Sequence, residues 1–407
     1  MVILQINSVF NYRSTGKIVD GIANLVNERK GNSYSFYGRK GIRSISTSYK
    51  ISSKYSVIIN VISARLFDND GFFPYLKLNR IFKLIGKIKP DIIHLHNLHG
   101  YYINIKALIK YFKYLNIPIV MTLHDCWTFT GHCAYYDYIQ CEKWKTHCEK
   151  CPQKVEYPAS LFLDRSYKNF EIKRQLFSSI DNLTVVAVSE WLSNQVAQSF
   201  LKEKKRIVIK NGIDLALFKP IKSRINIIKK YKLKGDHILL GVASIWEKRK
   251  GLDDILYIAE HLGEEYSIIL VGARISRKAK KYKNIYIVPK IDNQAELAAL
   301  YSAADLFINP TYQEALGLTN IEALACGTPV LTYNTGGSPE TIDSETGFVV
   351  AKGDANAMID IIKGFTTKDK ESMTDACRKR AERYFNKNER FMDYIKLYEK
   401  ILNSEVF

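Results

Sequence analysis

Long apolar runs are missing from this sequence. In its 407 residues, no uninterrupted apolar stretch approaches the length that a membrane-spanning helix needs, about 18 residues. The first residues, MVILQINS, are typical of a β-strand and not of the charged segment and apolar core of a signal peptide. Solenoid-type repeats and long low-complexity stretches are also missing. We therefore expect a folded, cytoplasmic protein that meets membranes only at their surface.

Acidic residues are outnumbered. The chain has 41 Asp and Glu against 60 Lys and Arg, a formal net charge of +19, with basic runs at residues 202–206, 248–250 and 277–283. A field of this sign attracts polyanions, anionic lipid surfaces or phosphorylated substrates. A Lys-rich solvated surface would give the same count, so charge alone identifies no partner.

A disulfide framework is not expected, because the seven cysteines are odd in number and no export signal precedes them. Five of them fall within 26 residues, at Cys126, Cys133, Cys141, Cys148 and Cys151. The spacing Cys148-x-x-Cys151 is typical of a zinc knuckle, and Cys133 and Cys141 would complete four thiolates, with His132 and His147 in reserve. We expect a structural zinc ion here, with ordinary reduced thiols as the alternative. Four protein ligands leave no open position, so such an ion would not be catalytic.

Strand-like and helix-like patterns alternate along the chain. Short apolar runs at residues 2–7, 91–96, 119–123 and 183–188 predict strands, and helical spacing follows the first of them. After an Asn-Gly turn near Asn211 and a break at Pro220, strand-like runs begin again at 237–243 and continue to 329–333. This rhythm predicts an α/β protein with parallel sheets covered by helices. The length favours two domains.

The most informative stretch is residues 309–339. A predicted strand ends at Asn309, a loop carries Glu314, and the segment from Thr319 to Glu322 opens a short helix. The amides at Gly317, Leu318 and Thr319 would lie at the positive end of the helix dipole, a ready site for a diphosphate. The two carboxylates can accept hydrogen bonds from sugar hydroxyls. As an alternative, Thr319 and Glu322 fit a capping box that serves only the helix itself.

After Glu314 come seven residues, then Glu322, and then the string Ala-x-Ala-x-Gly-x-Pro-Val. This pattern resembles the signature of the family-four retaining glycosyltransferases. That resemblance implies the GT-B fold, in which two doubly wound Rossmann-like domains face a central cleft. The string NGID-x-x-x-F-x-P at 211–220 resembles the interdomain segment of the family. We therefore expect an acceptor-side domain at 1–215 with a cysteine-rich insertion at 126–158, a nucleotide-sugar-binding domain at 216–385, and a C-terminal helix at 386–407 that crosses back.

The resemblance also implies roles on the donor side. Glu314 would lie beside the transferred sugar, and Glu322 would hold the ribose hydroxyls. Lys250-Gly251 resembles a Lys-Gly pair whose Lys contacts the donor diphosphate, and Arg249 is expected to replace an Arg that the family has near Ser244. Two cations would stabilise the charge of the leaving diphosphate, so no catalytic metal is expected.

Two glycine-containing loops resemble the parts of the family that border the cleft. Thr335-Gly336-Gly337-Ser338 followed by Pro339-Glu340 resembles a Gly-Gly-x-x-Glu loop. Gly16 lies in Ser14-Thr15-Gly16-Lys17, between the first strand and the first helix, and is expected to face the donor. This string is not a Walker loop, because no Gly stands five residues before Gly16 and Ile18 follows Lys17.

The acceptor side is predicted where strands end in His96-Asn97 and His124-Asp125, because parallel sheets place ligands at these strand ends. His94 is expected to be a buried core histidine. The resemblance implies that His124 contacts the sugar or the acceptor, with Asp125 as a base or as an orienting group.

The cysteine-rich run HDCWTFTGHC…CEKW…CxxCP resembles a colanic-acid-type subgroup of family four, found in exopolysaccharide and O-antigen clusters. We expect a retaining hexosyltransferase-type enzyme that moves a sugar from a UDP- or GDP-linked donor to a growing glycan. The acceptor would be carried on a polyprenyl diphosphate, at the anionic inner face of the plasma membrane. A nucleotide-sugar epimerase of the same fold is one alternative. The other is a zinc-dependent nucleic-acid-binding protein, and Glu314 with Glu322 argues against any nucleic-acid partner.

Overall fold

The computed structural model describes residues 1–73 and 78–403, which divide into two units. The first unit comprises Met1–Ile209 together with the chain from Arg390 onward, and the second comprises Lys210–Glu389. Residues 404–407 of the predicted C-terminal segment lie outside the described residues. None of the described helices is both long and apolar enough to cross a membrane.

The first unit is built on a seven-stranded sheet. Its strands are β1 (Val2–Asn7), β2 (Asn32–Tyr37), β3 (Thr47–Lys50), β4 (Ile92–Leu95), β5 (Ile119–Leu123), β6 (Leu183–Ala187) and β7 (Lys205–Val208). All pairings are parallel, in the order β3-β2-β1-β4-β5-β6-β7. The helices between them are α1 (Arg13–Glu28), α2 (Lys54–Phe67), α3 (Leu78–Ile88), α4 (Ile105–Leu115), α5 (Ser166–Ser178) and α6 (Glu190–Ala197). Strands β4, β5 and β6 are buried along their whole length, as expected where helices cover both faces of a parallel sheet.

The second unit repeats this plan. Its strands are β8 (His237–Val242), β9 (Tyr266–Gly272), β10 (Ile285–Pro289), β11 (Leu306–Asn309), β12 (Val330–Tyr333) and β13 (Gly347–Val350). They form a parallel sheet in the order β10-β9-β8-β11-β12-β13. The accompanying helices are α7 (Arg224–Tyr231), α8 (Leu252–His261), α9 (Gln294–Ala303), α10 (Leu318–Ala325), α11 (Ala355–Gly364) and α12 (Thr367–Phe385).

The last helix, α13 (Lys387–Leu402), contributes to the core of the first unit. Its apolar side chains are buried in one cluster with Ile3 of β1 and with Ile22 and Val26 of α1. Phe391 packs so closely on α1 that a Cβ at Gly21 would lie 2.1 Å from its ring. The C-terminal segment is therefore an integral part of the N-terminal unit.

The unit boundary lies between Ile209 and Lys210, six residues before the boundary predicted at 215/216. The amide of Ile209 donates to Ala187 and so extends the first sheet. Ile213, in contrast, forms a β-bridge with Asn386, and the Asp214 carboxylate forms a 2.6 Å ion pair with Lys387. These contacts assign the Asn-Gly turn to the second unit.

Both sheets have the same topological switch point. β1 lies next to β4 in the first sheet and β8 next to β11 in the second, and from each pair the strand order runs outward in opposite directions. In doubly wound folds ligands bind beside the carboxyl ends of the strands at this point. The predicted site residues follow these strands.

Candidate functional site

Two loops of the second unit meet beyond the carboxyl ends of β8 and β11. The first leads from β8 into a 3-10 turn at Lys248–Lys250, and the second carries Glu314 between β11 and α10. The amide of Tyr312 donates to the carbonyl of Arg249 at 2.9 Å and ties the two loops together. Neighbouring strands thus bring together residues that are far apart in sequence.

Lys250 and Glu314 form an ion pair at this meeting point. Lys250 Nζ lies 2.8 Å from Glu314 Oε2, and 3.3 Å from both Thr311 Oγ1 and the Gln313 carbonyl. About one-fifth of each paired side chain is exposed, 22% for Lys250 and 20% for Glu314. Because a ligand can reach both groups, the ammonium can exchange a protein oxygen for a phosphate oxygen, and the carboxylate can accept from a hydroxyl.

The glycine loop 335–338 fixes the backbone of Glu314. The amide of Gly337 donates to the Glu314 carbonyl at 3.1 Å. Gly336 has a φ of +55°, and a Cβ on it would lie 1.8 Å from the same carbonyl oxygen. Only glycine fits here, so the close approach of this loop is what orients Glu314.

Helix α10 begins at Leu318, and its N-cap is Gly317 with a φ of +96°. The capping-box alternative, with Thr319 as the N-cap, is therefore wrong, because Thr319 already lies inside the helix. The carboxylate of Glu322 instead accepts a 2.9 Å hydrogen bond from the Tyr301 hydroxyl. Because glycine has no side chain, Gly317 does not cap the first turn of α10, and a ligand can take the place of a capping side chain.

A buried polar network beneath the loops was missed by the sequence analysis. Asn320 Nδ2 donates to Ser338 Oγ at 2.8 Å and to Thr341 Oγ1 at 3.1 Å. Asn309 Nδ2 in turn donates to Asn320 Oδ1 at 2.7 Å. The network joins the end of β11, helix α10 and the glycine loop, so it holds the site rigid. Asn309 and Asn320 could have signalled it, as amides among apolar residues.

The expected roles of Arg249 and Lys250 separate in the structure. Arg249 forms a close ion pair with Glu247 through its Nε, and Lys250 is the cation that reaches Glu314. Glu340, in the turn that follows the glycine loop, has Lys210 as an ion-pair partner at 3.5 Å. Lys210 is a cation that the sequence analysis did not identify.

Three histidines of the first unit form a buried row across β4 and β5. His94 contacts Tyr398 Oη at 2.6 Å through Nδ1 and Thr122 Oγ1 at 2.8 Å through Nε2, so both ring nitrogens are occupied. His96 contacts His124 Nε2 at 3.2 Å. Burial lowers the pKa of His124 to about 4, against the attraction of Asp125. His124 is therefore a neutral imidazole near neutral pH.

Asp125 orients its neighbours. Its Oδ2 lies 2.7 Å from His99 Nε2, and its Oδ1 accepts from the Trp127 amide at 2.9 Å. Burial by itself would raise the pKa of Asp125, but His99 and these hydrogen bonds prevail and lower it. Of the two predicted roles, this geometry favours the orienting group over the base, because both oxygens are engaged and the carboxylate holds its charge.

Asp70 is a second buried carboxylate in this region and was not predicted. It accepts hydrogen bonds from the amides of Gly100 and Tyr101 at 3.1 and 3.0 Å. Burial raises its pKa, which His99 and the two amides partly oppose. Asp70 thus anchors the loop that leads from β4 toward α4.

Gly16 lies in the first turn of α1, directly beyond β1 at the switch point of the first sheet. It is buried, and its carbonyl accepts from the Asn11 amide at 2.9 Å. These contacts give it a role in closing the loop between β1 and α1. Its predicted contact with the donor stays a prediction.

The predicted zinc ligands Cys133, Cys141, Cys148 and Cys151 line one small cavity of about 20 Å³ together with His132. The Nδ1 of His132 lies 2.5 Å from Asp68 Oδ1, and its buried Nε2 has no partner among the described residues. A carboxylate behind a histidine is the usual support of a metal ligand. Within residues 1–73 and 78–403, however, no three His, Cys, Asp or Glu side chains are arranged as a metal centre. The donor chemistry fits zinc, whereas the described side chains are free cysteines that are not arranged as a ligand set.

Two family models match this chain. The model described as Glycosyltransferase Family 4 matches residues 45–217, and that described as Glycosyl transferases group 1 matches residues 223–384. The second match contains Lys250, Glu314 and Glu322.

Two of the relatives have names that refer to polysaccharide biosynthesis. A protein described as the colanic acid biosynthesis glycosyl transferase WcaC of Escherichia coli is 34% identical over 194 residues, which are 44% of this chain and 46% of that protein. The capsular polysaccharide biosynthesis glycosyltransferase CapM of Staphylococcus aureus is 25% identical over 219 residues, which are 50% and 57% of the two chains. The chain thus spans about half the length of these two relatives.

Solved structures match over nearly the full length. Sucrose-phosphate synthase of Thermosynechococcus elongatus is 17% identical, with 99% of this chain and 100% of that chain covered and a TM-score of 0.70. The Anabaena protein HepE, solved in complex with UDP and glucose, is 15% identical, with 98% and 99% covered and a TM-score of 0.65. At these identities the likeness concerns the fold, and it confirms the predicted α/β GT-B class with two Rossmann-like domains.

Proposed function

Since this chain belongs to the family-four glycosyltransferases, we propose that it transfers a sugar from a nucleotide diphosphate sugar to a growing bacterial surface glycan. The names of the relatives, which refer to colanic acid and capsular polysaccharide, support this class of product. HepE was solved with UDP and with UDP-glucose, which supports a nucleoside diphosphate donor. The proposed donor is a UDP- or GDP-sugar.

The observation that carries the proposal is the Lys250–Glu314 pair beside the start of α10. In the donor complex Lys250 would pass from Glu314 to a diphosphate oxygen, and the amides at Gly317, Leu318 and Thr319 would complete the anion site. Glu314, released from the ion pair, would accept from a sugar hydroxyl. Glu322 would hold the ribose hydroxyls in the same way.

The proposed reaction retains configuration at the anomeric carbon. The bond from that carbon to the leaving phosphate oxygen breaks, and a bond to the acceptor oxygen forms on the same face. The proton of the acceptor hydroxyl passes to the departing phosphate oxygen. Lys250, with Arg249 as the second candidate cation, stabilises the charge that develops there. His124 contributes a neutral imidazole on the acceptor side, and Asp125 fixes the position of His99.

The acceptor in this proposal is a glycan on a polyprenyl diphosphate at the inner face of the plasma membrane. The formal charge of +19 supports an anionic setting of this kind. An epimerase would instead isomerise the nucleotide sugar with no acceptor present. Product analysis with and without acceptor separates the two activities.

A panel of UDP- and GDP-sugars tests the donor site through the melting temperature. A ligand at one hundred times its Kd stabilises a protein by about 2.7 kcal/mol. We expect one nucleotide class to raise the melting temperature of the wild type and of Lys248→Ala, an exposed neighbour in the same turn. Lys250→Ala and Glu322→Ala should lose most of this shift and most of the transfer rate. Wild-type shifts and rates in both variants would refute the assignment.

We also propose that Cys133, Cys141, Cys148 and Cys151 bind one structural zinc ion that draws the thiols together, with His132 as a reserve ligand. Their common cavity and the unpartnered His132 Nε2 support this. Elemental analysis of protein produced with added zinc should find about one zinc per chain. Cys148→Ser should lose the metal, and Cys326→Ser, in the second unit, should keep it. Zinc-free wild-type protein would contradict the proposal.

A further inference from the structure

Helix α2 is apolar on two opposite faces. Val57 and Val61 pack against a buried cluster of Ala64, Phe73 and Tyr101. The outward face carries large apolar side chains at helical spacing, at Tyr55, Ile58, Ile59, Ile62 and Leu66, all of them exposed. Ile59 is 61% exposed and Ile58 and Ile62 are each 54% exposed. Within the described residues this face meets solvent, whereas a helix that is apolar all round is normally covered.

A second exposed apolar segment continues this face. Leu161, Phe162 and Leu163 are all exposed, Phe162 by 67%. The Leu161 amide donates to the Arg65 carbonyl at 2.7 Å, and the Leu163 amide donates to the Leu66 carbonyl at 3.4 Å. The tripeptide is thus bonded to the last turn of α2. We call the outward face of α2 together with residues 161–163 the apolar ridge.

Helix α2 and the two helices that follow it along the chain carry charge of one sign. Helices α2, α3 and α4 contain eight Lys and Arg residues and no Asp or Glu. The three helices are connected, because the rings of Phe82 and Tyr111 stack between α3 and α4 at 4.0 Å, and the Ile105 amide at the start of α4 donates to Gly71, just beyond α2. All eight cationic side chains are exposed.

We propose that the apolar ridge docks this protein on an anionic lipid bilayer. The ridge residues enter the boundary between headgroups and acyl chains, and the cations of α2, α3 and α4 bind the lipid phosphates. Helix α2, with 14 residues and a length of about 21 Å at 1.5 Å per residue, lies flat in this arrangement. The inference deepens the proposed function, since it rests on a lipid-linked acceptor and names the surface that meets the membrane.

Charge decides between a bilayer and a second copy of the chain. In a symmetric dimer on this ridge, each copy would present the same acid-free helices to the other, and like charges facing each other oppose association. An anionic bilayer complements the same charges. The exposed apolar side chains can insert into the bilayer, which charge attraction alone does not achieve.

Vesicle flotation with the full chain tests the proposal. Vesicles of phosphatidylglycerol and phosphatidylethanolamine are compared with vesicles of phosphatidylcholine. The test variant is Ile59→Ser with Phe162→Ser, and the matched control is Ile225→Ser, an isoleucine that is 68% exposed on α7. We expect the double variant to bind the anionic vesicles at least about tenfold more weakly than the wild type, because two large apolar groups no longer insert.

The control should bind within about twofold of the wild type, and added salt should weaken wild-type binding. Wild-type affinity in the double variant, or equal binding to both kinds of vesicle, would overturn the proposal. The proposal would also be overturned if the wild type formed a dimer and bound no vesicles, and the double variant were a monomer. Donor-induced thermal stabilisation, measured on the same variants, should be unchanged. A failure of docking is thereby distinguished from a failure of the donor site.

Discussion

Glu314 and Asp125, two of the acidic residues that the sequence analysis placed near the chemistry, lie in different environments. Glu314 keeps one-fifth of its side chain exposed, and its ion-pair partner Lys250 is itself accessible. Asp125 is almost fully buried, and its two oxygens are taken by His99 and the Trp127 amide. A carboxylate that must receive a ligand needs the first environment, and one that holds a neighbour in place needs the second.

The fit of Gly336 beneath Glu314 gives a prediction at this scale. Gly336→Ala should lower the free energy of unfolding by about 2 kcal/mol or more, because the new Cβ meets the Glu314 carbonyl and φ is positive. The matched control is Gly364→Ala, whose Cβ would have no neighbour within 4 Å and which ends α11. That change should alter stability by at most about 1 kcal/mol. Urea unfolding measures the stability of both variants. Equal losses of stability would show that the loop moves to accommodate the new Cβ.

At the scale of elements, α13 shows how a distant segment completes a core. Its apolar residues pack with Ile3 of β1 and with α1, although nearly the whole chain separates them in sequence. Tyr398 reaches His94 at 2.6 Å, so the helix also satisfies a buried imidazole. The N-terminal unit therefore depends on α13.

Substitution within α13 tests this dependence. Ile395→Ala should lower the free energy of unfolding by about 2–5 kcal/mol, since Ile395 is fully buried and its truncation leaves a cavity. Lys396→Ala changes an exposed neighbour on the same helix and should have an effect within about 0.5 kcal/mol. Chemical denaturation followed by tryptophan fluorescence would measure both. A similar small loss in the two variants would mean that α13 adds little to the core.

At the scale of the whole molecule, buried histidines couple stability to pH. Burial is the main cause that lowers the pKa of His94, His96 and His124. The unfolded chain binds more protons at these groups below pH 6.5, so their contribution is complete above that value and falls with acidification. His99 and Asp70 have raised pKa values and act in the opposite direction.

The His124→Gln variant isolates one of these contributions. A shift from 6.5 to about 4 corresponds to about 3 kcal/mol, lost as the pH falls from 6.5 toward 4. The variant has no group that titrates here and should therefore lose less stability on acidification than the wild type. Unfolding free energies measured from pH 7 down to pH 4.5 check this. Parallel pH profiles for the two proteins would contradict it.

The sequence by itself determined the class of fold and pointed to the elements of the proposed donor site. Apolar runs with strand character, separated by helical spacing, predicted both parallel sheets, and β1, β5 and the end of β11 at Asn309 lie where they were predicted. The motif around Glu314 and Glu322 identified the loop and helix at the switch point. These features are readable because periodicity and turn chemistry act over a few neighbouring residues.

Only the tertiary structure decided which side chains meet. The pairing of Lys250 with Glu314, the network around Asn320, the contacts of Asp70 and the exposed face of α2 all join residues that are distant in sequence, or depend on what covers a surface. The resemblance matched Lys250 to the diphosphate-binding Lys and offered Arg249 only as a replacement for a missing Arg, and packing assigned the two residues different partners. The physical reason is that strand order and close packing choose the partners, and both are properties of the assembled sheet and not of any local stretch.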